Sequence, residues 1–346
     1  MAIEVRPIEK SDIPTVSDFL TRGFNDSPNA EFAAPDVLQW KCFDAQGNDG
    51  VPRGFVAIEN GRIVAYVGRQ PAQFVGGDLV TPVITEHGID WLADKQSFAA
   101  GLLAGQRSDE SIDIGFSIGG TDIAIKIKKR IKAWKFGMPV PTYCRVLRPL
   151  HYLRSPRQVV AWRCLAKIAR EYWRWLRHPR QKPNVSIVLK QVESFGAEVT
   201  QIVDACQMPE IHTLRTPELL NHFLRYPRKN ITGWHIMQEN QIRGFTLLSL
   251  VRNGNIRTGK IADCFLDSLD VDLWHAALHA LTNQLREQSA DMVVCYGTTS
   301  WMVEALTQNG FYQQRLSPFA IRDPKKLLPE NASYYLTHLE ADHAYL

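Results

Sequence analysis

Residues 84–105 read ITEHGIDWLADKQSFAAGLLAG. The first part has the alternation and β-branched content of a strand over 83–92. Asp94-Lys95-Gln96 is a polar turn, and Ser97-Phe98-Ala99-Ala100-Gly101-Leu102-Leu103 opens a helix built of small residues. The first backbone N–H groups of a helix have no internal partner and carry the positive end of its dipole, so a strand turning tightly into a helix makes a site for an anion. Small residues there let a phosphate approach the backbone closely. The same Ala and Gly residues also permit tight packing of helix on strand, and this stretch alone serves both readings equally.

The flanking chain extends the pattern. A strand over 3–8 precedes a helix that starts at Ser11-Asp12-Ile13-Pro14, a capping side chain followed by proline in the first turn. A second short helix covers 35–43. Two apolar alternating runs, 54–59 and 62–67, flank Asn60-Gly61, the pair suited to a two-residue hairpin because both central positions need positive φ. Beyond the opening stretch come a strand over 112–118, a helix over 122–136 stopped by Gly137, and a strand over 142–147. The helix carries Ile123, Ile127, Ile131 and Trp134 at helical spacing, with Lys126, Lys128, Lys129, Arg130, Lys132 and Lys135 around them. From residue 185 the order repeats: strand 185–191, helices 197–206 and 217–225, strands 233–239, 241–250 and 256–266, helix 271–288, strand 292–296, helix 300–308 stopped by Gly310, and strand 311–321. Glu59-Asn60-Gly61-Arg62 lines up with Glu239-Asn240-Gln241-Ile242. The expected architecture is therefore α/β with mixed sheets, in two tandem domains, 1–150 and 185–346, joined by a connector over 151–184.

Gln96-x-x-Ala99-x-Gly101 after a strand, within the order β-α-α-β-β-β-α-β-α-β, resembles the coenzyme A loop of the GNAT acyltransferase superfamily, with Ala99 where that loop has a glycine. The resemblance implies two GNAT-like domains, an acyl-coenzyme A (acetyl-CoA or a longer acyl-CoA) as co-substrate, and an amine acceptor that attacks the thioester directly. It places the backbone of Trp91, Leu92 and Ala93 beside the pantetheine arm, and Gln96, Ser97, Phe98, Ala99, Ala100 and Gly101 around the pyrophosphate. The base expected on the same strand is Glu86 first and His87 second, although a Glu-His pair near a strand start also serves simply to meet solvent. The tyrosine that acts as general acid in the superfamily falls at Ala133, and neither Tyr66 nor Tyr143 matches its position, so the acid is unassigned. The second copy has Leu269-Asp270-Val271-Asp272-Leu273-Trp274 at the corresponding turn, with two carboxylates that oppose a pyrophosphate. Coenzyme binding is thus expected in the first copy, with the second as a structural or acceptor-side partner. Two alternatives stand beside this one: a Fem-type aminoacyltransferase acting on a cell-wall precursor, and a catalytically idle binding or scaffold protein.

Composition agrees with a globular chain: 346 residues, 45% hydrophobic and 22% charged. Without a run of eighteen apolar residues or an apolar leader after Met1, a cytoplasmic protein is expected. The six cysteines have no metal-ligand spacing, and His275 and His279, four apart, lack an acidic companion, so no metal is expected. Residues 154–182 hold nine Lys and Arg against Glu171 alone, while the whole chain is only +4. Within 156–177 the connector places Val159, Trp162, Leu165, Ile168, Tyr172 and Trp175 on one side and Arg163, Lys167, Arg170, Arg174 and Arg177 on the other. Such a helix either packs its aromatic side between the domains or makes peripheral contact with the inner membrane face. The acceptor is expected to be a small-molecule or lipid-linked amine, and charge alone supports no nucleic-acid motif.

Overall fold

The computed structural model describes residues 3–24, 31–45, 50–94, 97–120, 122–131, 133–150 and 161–341, with backbone alone for His87, Ile89, Asp90, Trp91, Ile123, Ala161, Trp162 and Asn253. Lys95, Gln96 and 151–160 therefore lie outside the described residues. Strand β1 (Glu4–Pro7) leads to helices α1 (Ile13–Gly23) and α2 (Pro35–Cys42). An antiparallel meander follows, β2 (Gly54–Glu59), β3 (Arg62–Val75) and β4 (Val83–Ala93), its first turn carried by Asn60 and Gly61 at φ 52° and 72°. Helix α3 (Phe98–Glu110) crosses to β5 (Ile114–Ile118), and α4 (Asp122–Arg130), β6 (Trp134–Phe136) and β7 (Val140–Val146) close the first half. After α5 (Ala161–Arg177) the series recurs as β8 (Val188–Val192), α6 (Glu198–Cys206), β9 (His212–Thr213), α7 (Pro217–Leu224) and the meander β10 (Ile231–Gln238), β11 (Gln241–Asn253), β12 (Ile256–Leu266). Helix α8 (Val271–Glu287), β13 (Met292–Tyr296), α9 (Ser300–Gln308), β14 (Tyr312–Ser317) and β15 (Phe319–Arg322) complete it.

The strands form two mixed sheets, β1-β2-β3-β4-β5-β15-β6 with β9 beside β3, and β14-β7-β13-β12-β11-β10-β8. The halves exchange strands: β7 lies between β13 and β14, and β15 lies between β5 and β6. The expected division at 150 and 185 thus separates the chain but not the sheets. Two expected elements break for the same reason. The helix expected to reach Phe136 ends at Arg130, and Trp134 sits on β6 with its indole N–H donating to Asp109 Oδ2 at 2.8 Å. The strand expected over 311–321 divides at Pro318, whose missing N–H cannot serve a ladder, so β14 joins one sheet and β15 the other.

The halves also pack side by side. Trp40 of α2 stacks on His222 of α7 with centroids 4.4 Å apart, and Tyr226 donates to Glu31 Oε1 at 2.9 Å. Helix α5 does not bury its whole aromatic side, contrary to one expectation. It sets Ile168, Glu171 and Trp175 against the second sheet, with Trp175 Nε1 donating to Val146 O at 2.9 Å, and leaves Tyr172 and Trp173 exposed.

Candidate active site

Strand β4 pairs in parallel with β5 through Thr85–Ile114, Glu86–Gly115 and His87–Phe116 only. It then continues to Ala93, while β5 ends at Ile118 and turns through Gly119 and Gly120, both at positive φ. The two strands part after the His87–Phe116 row. In the same stretch the register of β4 with β3 passes from Ile89–Gly68 to Leu92–Tyr66, so Asp90 and Trp91 stand opposite Val67 alone. Such a bulge releases backbone groups from the ladder, here on the strand that borders the gap. Leu92 and Ala93 themselves are buried in the core, so only their backbone is available to a ligand.

Helix α3 begins where β4 ends. Its N-cap, Ser97, makes no side-chain capping bond, so the first turn keeps donors to offer. A Cβ on Gly101 would come 2.5 Å from Ala93 Cβ, which makes close helix-on-strand approach the immediate use of that glycine. Ala100 is buried and Ala99 is exposed at the helix start. Opposite stands α4: Phe98, Lys126, Lys129 and Arg130 line a cavity of about 350 Å³, with the Arg130 guanidinium 5.1 Å from the Phe98 ring centroid. Three cations and an aromatic ring at a helix N-terminus suit a polyanion that carries a flat ring. One carboxylate opposes it, with Glu59 Oε2 accepting from Ser97 Oγ at 3.4 Å.

Side chains alternate across a strand, so the register sorts the candidate bases. Glu86 pairs with Pro71 and Gly115, on the same face as Arg69. The Arg69 side chain runs over Gly88 and Gly115 to Asp109, at 2.7 Å, and to Ser108 Oγ, at 2.6 Å. Glu86 is fully buried there, with Arg53 Nη1 3.7 Å away. His87 occupies the opposite row, paired with Gln70 and Phe116, and its side chain lies outside the described atoms, as does that of Trp91. Both register partners of His87 line a second cavity, of about 260 Å³. Pro71, Ala72 and Gln73 of β3 continue that wall, and the second half supplies Thr213 and Leu214, then Leu219, His222 and Phe223 of α7, and Leu339 and Glu340. Burial holds the His222 imidazole near 4, hence neutral at pH 7. Glu340 is fixed by Arg215 at 2.9 Å and by the Thr337 N–H at 2.6 Å. The last paired row beside the gap, His87–Phe116, is thus the row whose partners Gln70 and Phe116 line this cavity.

Lys128 is a residue the sequence reading did not single out for chemistry. It is 4% exposed and donates to Ser117 Oγ of β5 at 2.5 Å, and burial lowers its ammonium pKa to about 7. A Cβ on Gly120, where β5 leaves the gap, would be 4.0 Å from Lys128 Nζ. The signal was available: Lys128 follows Ala124 by four residues and adjoins Ile127, on the apolar side of α4. Tyr66 is buried with its hydroxyl 3.4 Å from Cys42 Sγ, and Tyr143 belongs to the second sheet, so neither stands in for the tyrosine absent at Ala133. All six cysteines are free, and no metal-ligand cluster occurs among the described residues. The rings of His275 and His279 lie 6.4 Å apart, and burial pushes both down in pKa, with Arg180 acting the same way on each and a hydrogen bond with the Gln181 backbone opposing it at His275.

The second sheet repeats the gap and fills it. Strand β12 pairs with β13 through Thr258–Met292, Gly259–Val293 and Lys260–Val294, and a register shift puts Ala262 in excess over β11. Tyr335 enters from the C-terminal segment, fully buried, its hydroxyl donating to Cys264 O and its ring against Trp301 at 5.3 Å. Buried Arg215 joins Asp263 at 3.1 Å and Glu340 at 2.9 Å. At the helix start, Asp270 accepts from the N–H of Asp272 at 3.0 Å, so the chain's own carboxylate occupies the place of an external anion. Only α8 links β12 to β13.

No family model matches the chain, and no curated protein matches it. Solved structures do. A GCN5-related N-acetyltransferase from Anabaena variabilis superposes with a TM-score of 0.59 at 10% identity, covering 93% of this chain and 73% of that one. The Saccharomyces cerevisiae N-myristoyltransferase with bound myristoyl-CoA gives a TM-score of 0.59 at 12% identity, over 93% and 79% of the two chains. A putative acetyltransferase from Pyrococcus horikoshii gives 0.56 at 12% identity, over 97% and 94%. The chain has the GNAT fold.

Proposed function

We propose that this protein is an acyl-coenzyme A-dependent N-acyltransferase whose coenzyme lies in the first half and whose acceptor enters between the halves, with 1–150 as coenzyme unit, 151–184 as connector and 185–346 as acceptor-side unit. The observation that carries the reading is that the last paired row beside the β4–β5 gap, His87–Phe116, has its partners in the wall of the interhalf cavity. A thioester in that gap would present its carbonyl carbon to an amine in the cavity. The pyrophosphate would lie at residues 96–101, and the nucleotide end would face Phe98, Lys126, Lys129 and Arg130. Neighbouring folds support the choice of co-substrate, since one of them holds myristoyl-CoA.

Chemistry follows from proximity and two proton transfers. The amine lone pair attacks the thioester carbon, a base takes the ammonium proton, and the carbon–sulfur bond breaks to release the coenzyme thiolate. His87 is the better base, because both its register partners, Gln70 and Phe116, line the cavity, while Glu86 is fully buried with Arg53 3.7 Å away. Lys128, near neutral pKa at the edge of the gap, is the donor for the thiolate in place of the missing tyrosine. The cavity is mostly apolar with Glu218 and Glu340 in its wall, which suits a small amine with an apolar body.

Titration calorimetry with CoA and acetyl-CoA, followed by thiol release with a panel of amines, tests this. Ala99→Glu is expected to weaken CoA binding by about a hundredfold, ~2.8 kcal/mol, with unchanged thermal unfolding because Ala99 is exposed. Unchanged affinity in that variant would remove the coenzyme site. His87→Ala should lower kcat with CoA affinity intact, whereas Glu86→Gln should act on stability. The reverse pattern would exchange their roles.

A further inference from the structure

Helix α5 has three sectors. Ile168, Glu171 and Trp175 face the second sheet, where Glu171 accepts from Tyr312 Oη at 2.9 Å and from Arg174 at 2.6 Å. A second sector, at the spacing 165, 169, 172, 176, is apolar and open to solvent: Leu165 is 61%, Tyr172 45% and Leu176 80% exposed, with Trp173 beside them at 51%. The third holds Arg163, Lys167, Arg170 and Arg177, all exposed, with Arg174 drawn inward to Glu171 and over the Tyr312 ring at 4.1 Å; Glu171, the single carboxylate of the helix, is turned into the protein. The acyltransferase reading uses none of these residues.

The outward apolar stripe spans about 16 Å of helix. At helix width it offers roughly 200 Å², far below the ~800 Å² per partner of a stable protein interface. A bilayer surface requires no such area or shape match. It takes aliphatic side chains a few ångströms deep, seats Trp and Tyr at the headgroup level, and draws Arg and Lys to anionic lipid. We infer that α5 docks the protein on an anionic lipid surface, with Leu165, Tyr172, Trp173 and Leu176 inserted and the arginine sector against the headgroups.

Co-sedimentation of the full chain with phosphatidylcholine vesicles, with and without phosphatidylglycerol, tests the inference independently of any transfer activity. Binding should appear with phosphatidylglycerol and weaken with added salt. Leu165→Ser with Leu176→Ser should weaken it at least about tenfold, and each of Arg163→Gln and Arg170→Gln about fivefold. Thermal unfolding should be unchanged, since these side chains are exposed. Failure to bind anionic vesicles, or binding indifferent to these substitutions, would overturn the inference. So would a dimer in light scattering that Leu176→Asp dissociates, which would give the stripe to a second copy.

Discussion

The gap between β4 and β5 and its counterpart between β12 and β13 are built alike: three paired rows, a bulge on the strand that borders the opening, and a helix starting where that strand ends. They differ in what meets the gap. In the first half the helix start lacks a side-chain cap and faces three cations across a cavity. In the second, Asp270 caps the helix, and Tyr335, Arg215 and Glu340 occupy the interior. The same backbone therefore borders a cavity in one place and a packed core in the other. Side chains decide which, and the decisive ones in the second half come from segments far apart in the chain.

Four substitutions probe that contrast. Arg215→Met should have the largest effect, because it leaves Asp263 and Glu340 as buried carboxylates without their cation; a loss of about 3–5 kcal/mol is expected in urea unfolding. A loss below about 1 kcal/mol would mean that this network does not hold the second gap shut. Tyr335→Ala should cost about 3 kcal/mol or more by leaving a hole, yet calorimetry should still find one CoA per chain, since Asp270 remains. Two bound coenzymes would make the plug, not the helix start, the difference between the halves.

Lys128→Met sharpens the first half. The native ammonium pKa is about 7 against an ordinary 10.5, so between those values the unfolded chain holds a proton that the native chain lacks. Native stability therefore rises with pH across that window, and the cost of the buried charge is fully present below it. The variant should be more stable than the parent at pH 6, by about 1 kcal/mol or more, with the gap closing towards pH 10. If Lys128 is also the proton donor, the alkaline limb of kcat should disappear in the variant. Asp270→Ala is the mildest change: loss of the cap should cost about 1 kcal/mol, and CoA affinity should stay as it was.

Much of this organisation was legible in the sequence because it is local. Alternation around Asn60-Gly61, the strand running into a small-residue helix at 97–101, and the recurrence after 185 depend on neighbours a few residues apart. Partner choice between strands does not. Strands β7 and β15 carry the same apolar alternation whichever sheet they enter, and only Pro318 and the turn after Gly137 mark where the chain leaves one sheet for the other. Trp134 continued the spacing of Ile123, Ile127 and Ile131 and so read as helix, although its indole is held by Asp109 on α3. The cavity wall at Thr213, His222 and Glu340 was invisible for a like reason: its residues meet only after both halves have packed. The stretch that suggested the coenzyme loop also lies partly beyond the described residues, at Gln96.

The exchanged strands bear on how the chain reaches this state. During synthesis the first sheet has β5 and β6 in place long before β15, more than 180 residues later, can enter between them. Until then both present bare ladder edges, the kind of surface that recruits other chains. The first half therefore has to wait, partly assembled, until Phe319–Arg322 has been made. Pairings this distant in sequence close slowly, so the step that makes the two halves inseparable is also the one at which a newly made chain is most exposed to aggregation.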